Sequence, residues 1–488
     1  MSVFAEMKEK SIYKINMSNL TVAYGNGIGA EIMTSVLEII FEAGAALQID
    51  TIEIGQKIYK KGWPSGIPDS AWDTIKKNKI LLKGPITTPR GGGVKSLNVT
   101  LRKKLGLFAN VRPCVSHLSS QDKKVDIVII RENEEDLYSG IEYRQTRDTY
   151  NCTKVITEKT SEKICRYAFE YARNNNRKKV TVMVKDNIMK MTDGVFHRLF
   201  RDVASEYNDI QSENYIIDIG AARIAKTPEK FDVIVTLNLY GDIISDIAAE
   251  ISGSVGLGGS INIGEEYAMF EAVHGSAPDI ADQDIANPSG LLNAATYMLS
   301  YIGQKEVAQK VYSAWLKTIK DGVHTADIYH PSWSKIKVGT KKFTEHVINN
   351  IDRKNIIPFS CHSLVEKERL QTKYQSCTEK KLIGVDLFIT WESTNLQKLL
   401  TLLEGIKVSK AIILGSISVK GISIWPDKSS IVLPYSDTLC CRFLGEPNGN
   451  LTTRDIYALM EEIENNAIEV TRMEKLYTFG DKLGFSEI

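Results

Sequence analysis

Short β-branched apolar runs alternate with amphipathic stretches along residues 18–350 of the chain. The segment NLTVAYGNGIGAEIMTSVLEIIFEAG begins as an apolar strand and crosses a glycine turn. It continues with Ile32, Val36, Ile39 and Ala43 at helical spacing. The runs at 79–85, 125–132, 179–186 and 231–239 read as buried strands, and helical patterns occupy 161–175, 192–206, 241–252 and 289–302. Strands alternating with helices predict an α/β architecture. Residues 351–381 are polar and charged, and read as a linker. Beyond it come a strand (382–391), a helix (395–405), a strand (410–417), more β material to 444, a helix (453–465) and a last strand (467–473). That rhythm predicts a small α+β domain of split-βαβ type.

Composition narrows the class. The 488 residues are 43% hydrophobic and 25% charged, with a net charge of +1, which describes a globular chain long enough for several domains. Balanced charge gives no reason to expect a nucleic-acid or membrane-surface partner. Cys114, Cys152, Cys165, Cys361, Cys377, Cys440 and Cys441 form no CxxC pair and no metal-ligand spacing, which fits a reducing compartment. The first residues, MSVFAEMKEKSIYK, lack the apolar core of a secretory signal. No apolar run reaches the roughly 18 residues of a membrane span. A cytoplasmic location is the expectation.

Candidate chemistry clusters in a few segments. Ser96, Asn98 and Arg102 lie within seven residues, and the spacing of Asn98 and Arg102 puts both on one helical face. Arg112 follows after a short apolar run, and Arg131 ends the predicted strand VDIVII. Guanidinium forks grip carboxylates bidentately, so this set suits a small polyanion, while any one arginine alone also reads as a solvated surface residue. Asp242 and Asp246 share one face of a predicted helix. Like charges at that spacing repel unless a hard divalent cation, Mg²⁺ or Mn²⁺, sits between them; the plain alternative is an acid at the helix start and a solvated acid. Asp218 is a candidate third ligand. Tyr138 and Lys185 could share a proton if the fold brings them together. GNGIGAE (25–31) lacks the third glycine of the dinucleotide fingerprint, and reads as a strand-to-helix turn that needs small residues. SGSVGLGGSINIG (252–264) reads as a flexible loop that leads into the strand before His274 and could line a cofactor cleft.

Five segments occur in order: SLNVTLRKKLGLFANVRP, RENEEDLYSGIEY, KDNIMK, NLYGDIISD and FEAVHGSAPDIADQDIANP. Together they closely resemble the isocitrate dehydrogenases of the β-decarboxylating isocitrate/isopropylmalate dehydrogenase family. Residues 382–488 resemble the extra C-terminal domain of its longer, Thermus-like bacterial members. The resemblance implies that family's own α/β fold rather than a Rossmann fold. A large domain (1–107 and 254–350) and a small domain (108–253) would precede the linker and the C-terminal domain. It further implies oxidative decarboxylation of isocitrate, with a homodimer or higher homo-oligomer sharing two active sites. Ser96 and Asn98 would read the distal carboxylate, and Arg102, Arg112 and Arg131 the others. Asp242, Asp246 and the partner's matching acid, Asp218, would bind Mg²⁺ or Mn²⁺. Tyr138 and a partner Lys185 would be the acid–base pair. Asn26 stands where the family usually has Asp, and Ala30 where Pro is frequent.

Neighbouring activities leave marks of their own. Relatives acting on alkylmalates lack the Ser-x-Asn pair, so Ser96 and Asn98 argue against 3-isopropylmalate, while homoisocitrate stays open. A non-catalytic regulatory subunit would be expected to lose metal or acid–base residues, all of which are present here. His274, Gly275, Ala277, Asp279, Ile280 and Asn287 are the expected dinucleotide contacts. NADP-using relatives carry Lys-Tyr at the positions of Asp279 and Ile280, where a carboxylate would repel a 2′-phosphate and accept from a free ribose hydroxyl. The expectation is therefore NAD rather than NADP.

Overall fold

The spacing of Ile32, Val36, Ile39 and Ile40 gives the Gly29–Glu42 helix one fully buried face, and Leu20 and Val22 of the strand before it pack into the same core. This pairing of an apolar helix stripe with a buried strand repeats through the first part of the chain. The computed structural model describes residues 17–487, apart from 88–95, 119–123, 352–369, 373–378, 392, 394, 407–411, 427–435 and 447–449. The linker expected over 351–381 falls largely outside the described residues. The chain forms two compact units, residues 1–138, 156–187 and 193–372 in the first and 139–155, 188–192 and 373–488 in the second.

The first unit is built on a ten-stranded sheet. Its strands, with the intervening hairpin, are β1 (Ser18–Ala23), β2 (Leu47–Ile52), β3 (Ile80–Lys83), β4 (Ala109–Val115), β5 (Asp126–Glu132), β6 (Asp136–Arg144), β7 (Tyr150–Val155), β8 (Lys179–Val184), β9 (Gln211–Ile216), β10 (Val233–Thr236), β11 (Gly259–Ile263) and β12 (Ala268–Ala272). β6 and β7 pair only with each other. The sheet order is β2-β1-β3-β12-β11-β4-β5-β10-β8-β9. Strand direction reverses in the middle: β2, β1, β3 and β12 are parallel, as are β5, β10, β8 and β9, and antiparallel pairings through β11 and β4 join the halves. The runs VIVT (233–236) and IVII (127–130) are buried on both faces, as strands covered by helices must be.

The register sets polar residues in rows across this apolar sheet. Lys83 pairs with Glu271, and Glu271 with Ser260. Asn262 pairs with Asn110, Asn110 with Arg131, and Arg131 with Thr236. All seven are buried. Such rows persist in a core only where the groups bond one another or face a site.

Two glycine segments behave differently. In GNGIG, Gly25 and Gly27 have φ values of +81° and +56°. A Cβ on Gly27 would lie 1.9 Å from the Ser276 carbonyl oxygen, which accepts a hydrogen bond from the Ile28 amide at 2.9 Å. The glycines therefore let this turn close onto the loop that follows β12. The 252–264 stretch is not the flexible loop its composition suggests. Residues 259–263 are the fully buried strand β11. A Cβ at Gly259 would meet the Ala294 amide at 2.6 Å, so this glycine serves close packing of β11 on the Ser289–Tyr301 helix.

The second unit carries a six-stranded antiparallel sheet. Four of its strands and two helices run Lys380–Thr390, Leu396–Gly405, Ile412–Val419, Thr438–Gly445, Thr453–Asn465 and Val470–Phe479. This is the βαβ–βαβ order read from the sequence, and Val385, Leu399, Ile417, Cys441, Ile456 and Ile463 close its core. The Thr453–Asn465 helix opens with a capping box between Thr452 and Asp455. Part of the β6–β7 hairpin belongs to this unit, where Gln145 Nε2 donates to Thr471 Oγ1 at 2.9 Å and Thr149 Oγ1 to Asp437 Oδ1 at 2.9 Å. Among the described residues no helix is long and apolar enough to cross a membrane.

Candidate active site

The Leu97–Lys104 helix buries Leu97 and Leu101 completely, and this orients the opposite face, with Asn98 and Arg102, toward a cavity of about 290 Å³. Ser96 reaches the same cavity from just before the helix. β4 contributes Arg112, β5 Arg131 and the start of β6 Tyr138. The Asn238–Ile251 helix contributes Asp242 and Asp246. The first unit thus brings together eight of the candidate substrate, metal and acid–base residues singled out above, from five elements of the chain.

Their electrostatics are interlocked. Arg131 is 1% exposed, and its Nε and Nη2 donate to Asn238 Oδ1 at 3.1 and 2.8 Å. Its Nη1 donates to Asp242 Oδ1, and the guanidinium lies 4.8 Å over the Tyr138 ring. Burial, with Arg112 and Arg102 nearby, pulls the Arg131 pKa down to about 10. Arg112 donates from Nη1 to Ser245 Oγ at 2.6 Å, and pairs with Asp246 and Asp242 at 3.4 and 3.5 Å. The Tyr138 hydroxyl donates to Asp242 Oδ2, and burial together with that carboxylate raises the phenol above its usual range. For Asp242 burial works upward, but Arg131 and Arg112 outweigh it and lower its pKa. Asp246 goes the other way, since burial and Asp242 outweigh Arg112. Two neighbouring carboxylates pushed apart in this way form an asymmetric acid pair.

Gly241 explains how Arg131 passes beneath this helix. A Cβ there would stand 2.5 Å from Arg131 Cγ and 2.7 Å from its Cβ. Gly241→Ala is expected to overpack the site and lower stability by about 1–3 kcal/mol, displacing the guanidinium. Thermal unfolding with parallel kinetics checks this, and a variant with wild-type Tm and KM would contradict it.

Lys83 and Glu271, also in the lining, were not singled out from sequence. Glu271 accepts from Lys83 Nζ at 2.8 Å, Arg102 Nη2 at 3.0 Å and Asn262 Nδ2 at 2.9 Å. Burial opposes its charge, yet Lys83 and Arg102 hold the carboxyl far below the usual range. The available signal was a lysine ending an otherwise apolar strand, a placement rare without a partner. Asn98 Oδ1 and His274 Nε2 are buried in the same lining without a hydrogen-bond partner among the described residues, which leaves both open to a ligand.

Lys185 and Asp218 meet each other but not this cavity. Lys185 Nζ bonds Asp218 Oδ2 at 2.7 Å, at the end of β8 and the start of the Ile217–Lys226 helix. Neither lines the cavity. The donors that face it, Asp242 and Asp246, are hard oxygen ligands suited to Mg²⁺ or Mn²⁺. Among the described residues no group of three or more His, Cys, Asp or Glu side chains that could hold a metal ion is found.

A second pocket of about 450 Å³ is lined by Ile28, Ser254, Gly256, His274, Gly275, Ala277, Ile280, Ile285, Asn287, Ala326 and Asp327. It shares His274 and Gly275 with the first. Five of the six expected dinucleotide contacts are there, and Asp279 is not: it is exposed on the 3₁₀ turn Pro278–Ile280.

A family profile described as isocitrate/isopropylmalate dehydrogenase matches residues 19–347, and one described as bacterial isocitrate dehydrogenase, C-terminal domain, matches 380–488. The chain belongs to the isocitrate/isopropylmalate dehydrogenase family. An isocitrate dehydrogenase [NADP] of Rickettsia bellii is 51% identical, covering 96% of this chain and 98% of its own length. An isocitrate dehydrogenase [NADP] of Thermus thermophilus is 36% identical over 96% of this chain. A solved Thermus thermophilus structure superposes with a TM-score of 0.89 at 35% identity, covering 96% of this chain and 95% of that one. The family's two-part fold, a large mixed α/β sheet and a separate C-terminal sheet domain, is the one seen here.

These relatives correct the cofactor expectation. NAD was inferred from Asp279, yet family members matching nearly the whole chain carry NADP in their names. The physical reason lies in the turn. The repulsion argument needs the carboxylate aimed into the pocket, and Asp279 lies outside the pocket lining, exposed.

Proposed function

We propose that the protein catalyses the NADP-dependent oxidative decarboxylation of isocitrate to 2-oxoglutarate and CO₂. The observation that carries this reading is the single cavity in which Ser96, Asn98, Arg102, Arg112, Arg131, Tyr138, Asp242 and Asp246 converge. Three buried guanidinium groups match a substrate with three carboxylates. Ser96 and Asn98 at the cavity wall suit the carboxylate that an alkylmalate lacks. The arginines orient the substrate and neutralise its charge, so that the hydroxyl-bearing carbon faces the second pocket. Tyr138, which lines the same cavity, would deliver a proton to the carbon that loses CO₂. A divalent ion held by Asp242 and Asp246 would stabilise the charge that develops on the substrate oxygen. NADP, lying along His274, Gly275, Ala277, Ile280 and Asn287, would accept the hydride.

The same reading makes the enzyme a cytoplasmic homodimer in which Lys185 and Asp218 serve the partner's cavity, Lys185 beside Tyr138 and Asp218 as the third metal ligand. The large (1–107, 254–350) and small (108–253) domains would close on the ligands. The described lining of the second pocket carries no lysine or arginine, so support for NADP comes from the relatives rather than from a charge beside the 2′-phosphate. Purified protein with isocitrate and Mn²⁺ is expected to show a kcat/KM for NADP at least about tenfold above that for NAD. Equal or reversed values would overturn the cofactor assignment, and absence of turnover with either would overturn the activity.

A further inference from the structure

Beneath the cavity floor runs a continuous line of buried side chains. Arg112 Nε donates to Asn110 Oδ1 at 2.7 Å. Asn110 Nδ2 donates to Asn262 Oδ1 at 2.7 Å and to Ser260 Oγ at 2.8 Å. Asn262 Nδ2 donates to Glu271 Oε1 at 2.9 Å, and that oxygen also accepts from Arg102 at 3.0 Å. Asn133 adds a donor to Asn262 Oδ1 at 3.1 Å, and its own amide is fixed on the Leu107 carbonyl at 2.9 Å. Asn110 and Asn262 are 0% exposed, and Asn133 is 2%.

From this geometry we infer that Asn110 and Asn262 are positioning residues: a buried amide relay that locks Arg112 to Arg102 and fixes the spacing of two substrate guanidiniums. The inference rests on the proposed isocitrate reading. Every donor in the line points toward Glu271. Arg112 therefore ends the chain as a donor whose orientation is set by an acceptor it cannot exchange. Arg112 and Arg102 come from different elements, a strand and a helix, and these two asparagines with Glu271 connect them through hydrogen bonds alone. The strand register puts Asn262 directly opposite Asn110, so the relay is built into the pairing of β11 with β4. A core position filled by an amide instead of Val or Leu forgoes apolar burial, and here Asn110 Nδ2 donates to Asn262 and Ser260, while Asn262 Nδ2 donates to Glu271 at 2.9 Å and, at a longer 3.3 Å, to the Met269 carbonyl.

The test is Asn110→Ala, with steady-state kinetics for isocitrate and NADP and isocitrate binding by calorimetry. Removing one link of a fully buried network is expected to raise KM and Kd for isocitrate about tenfold, with KM for NADP changed less than about twofold. A merely structural role would lower Tm without that split. Should Asn110→Ala fail to fold, Asn262→Leu, close in volume and without a donor, breaks the link to Glu271 and is expected to show the same split. An active wild type whose variant keeps isocitrate KM and Kd within twofold overturns the relay alone. Equal loss toward both ligands does the same. A wild type that neither binds nor turns over isocitrate overturns the activity, and the relay's role with it.

Discussion

Arg131→Lys is expected to lower kcat/KM for isocitrate about a thousandfold, although it preserves the charge. If charge alone mattered, the change would be mild. The geometry argues otherwise. Arg131 spends Nε and Nη2 on Asn238 and Nη1 on Asp242, all within a site where it is 1% exposed. A lysine ammonium cannot supply this planar fork, and the two partners are buried or partly buried with it. Hydrogen bonds to charged groups are worth about 1.5–3 kcal/mol each, so losing two corresponds to roughly 4 kcal/mol, or three powers of ten in rate. Both kinetic constants should move. KM rises because a carboxylate grip is lost, and kcat falls because Arg131 also braces Asp242 and the Tyr138 ring. Steady-state kinetics on protein with an unchanged circular-dichroism spectrum checks this. A loss below tenfold would mean that Arg131 acts only as a diffuse positive charge.

Much of this site was legible in the chain, for an identifiable reason. Asn98 and Arg102, or Asp242 and Asp246, are paired by helical periodicity, and periodicity survives folding. Arg112 and Arg131 were legible because, with Arg102, they form a run of guanidinium groups close to strand and helix ends, a set that suits a polyanion better than any one of them alone. Side-chain direction was not legible. Asp279 sits on a turn where nothing in the local sequence says whether its carboxylate faces the pocket or water, and the cofactor inference failed there. Lys83 and Glu271 were missed for a related reason. Each looks like the polar punctuation of a strand, and only the β3–β12 register places one against the other. Residues 252–264 were misread because glycine density signals both loose chain and tight packing, and the distinction depends on Ala294, which lies outside that stretch. In the C-terminal unit the strand–helix rhythm was plain, while its bonds to Gln145 and Thr149 had no local signature.

Glu271→Gln is the substitution expected to harm stability most. It removes the one carboxylate that Lys83 and Arg102 share, leaving two cations at 1% and 7% exposure without their counter-charge. Breaking a buried pair by deleting one partner costs about 3–5 kcal/mol, because the remaining charge stays desolvated. The isosteric amide also turns a donor group toward those cations. A marked fall in Tm, or insoluble protein, is therefore the expected result. Lys83→Met combined with Glu271→Gln should recover part of the loss by removing one stranded charge, and no recovery would argue that packing, not charge, is at stake. The dependence on pH has a definite sign. The carboxyl's folded pKa is depressed below its ordinary 4.5. Its contribution is therefore fully present above pH 4.5 and is lost as the pH falls toward the folded value. The Tm gap between wild type and Glu271→Gln should be widest near neutrality and narrow progressively below pH 4.5. A gap that widens in acid would contradict the pairing, because a carboxylate held ionised by Lys83 and Arg102 can only lose its advantage when protons are forced onto it.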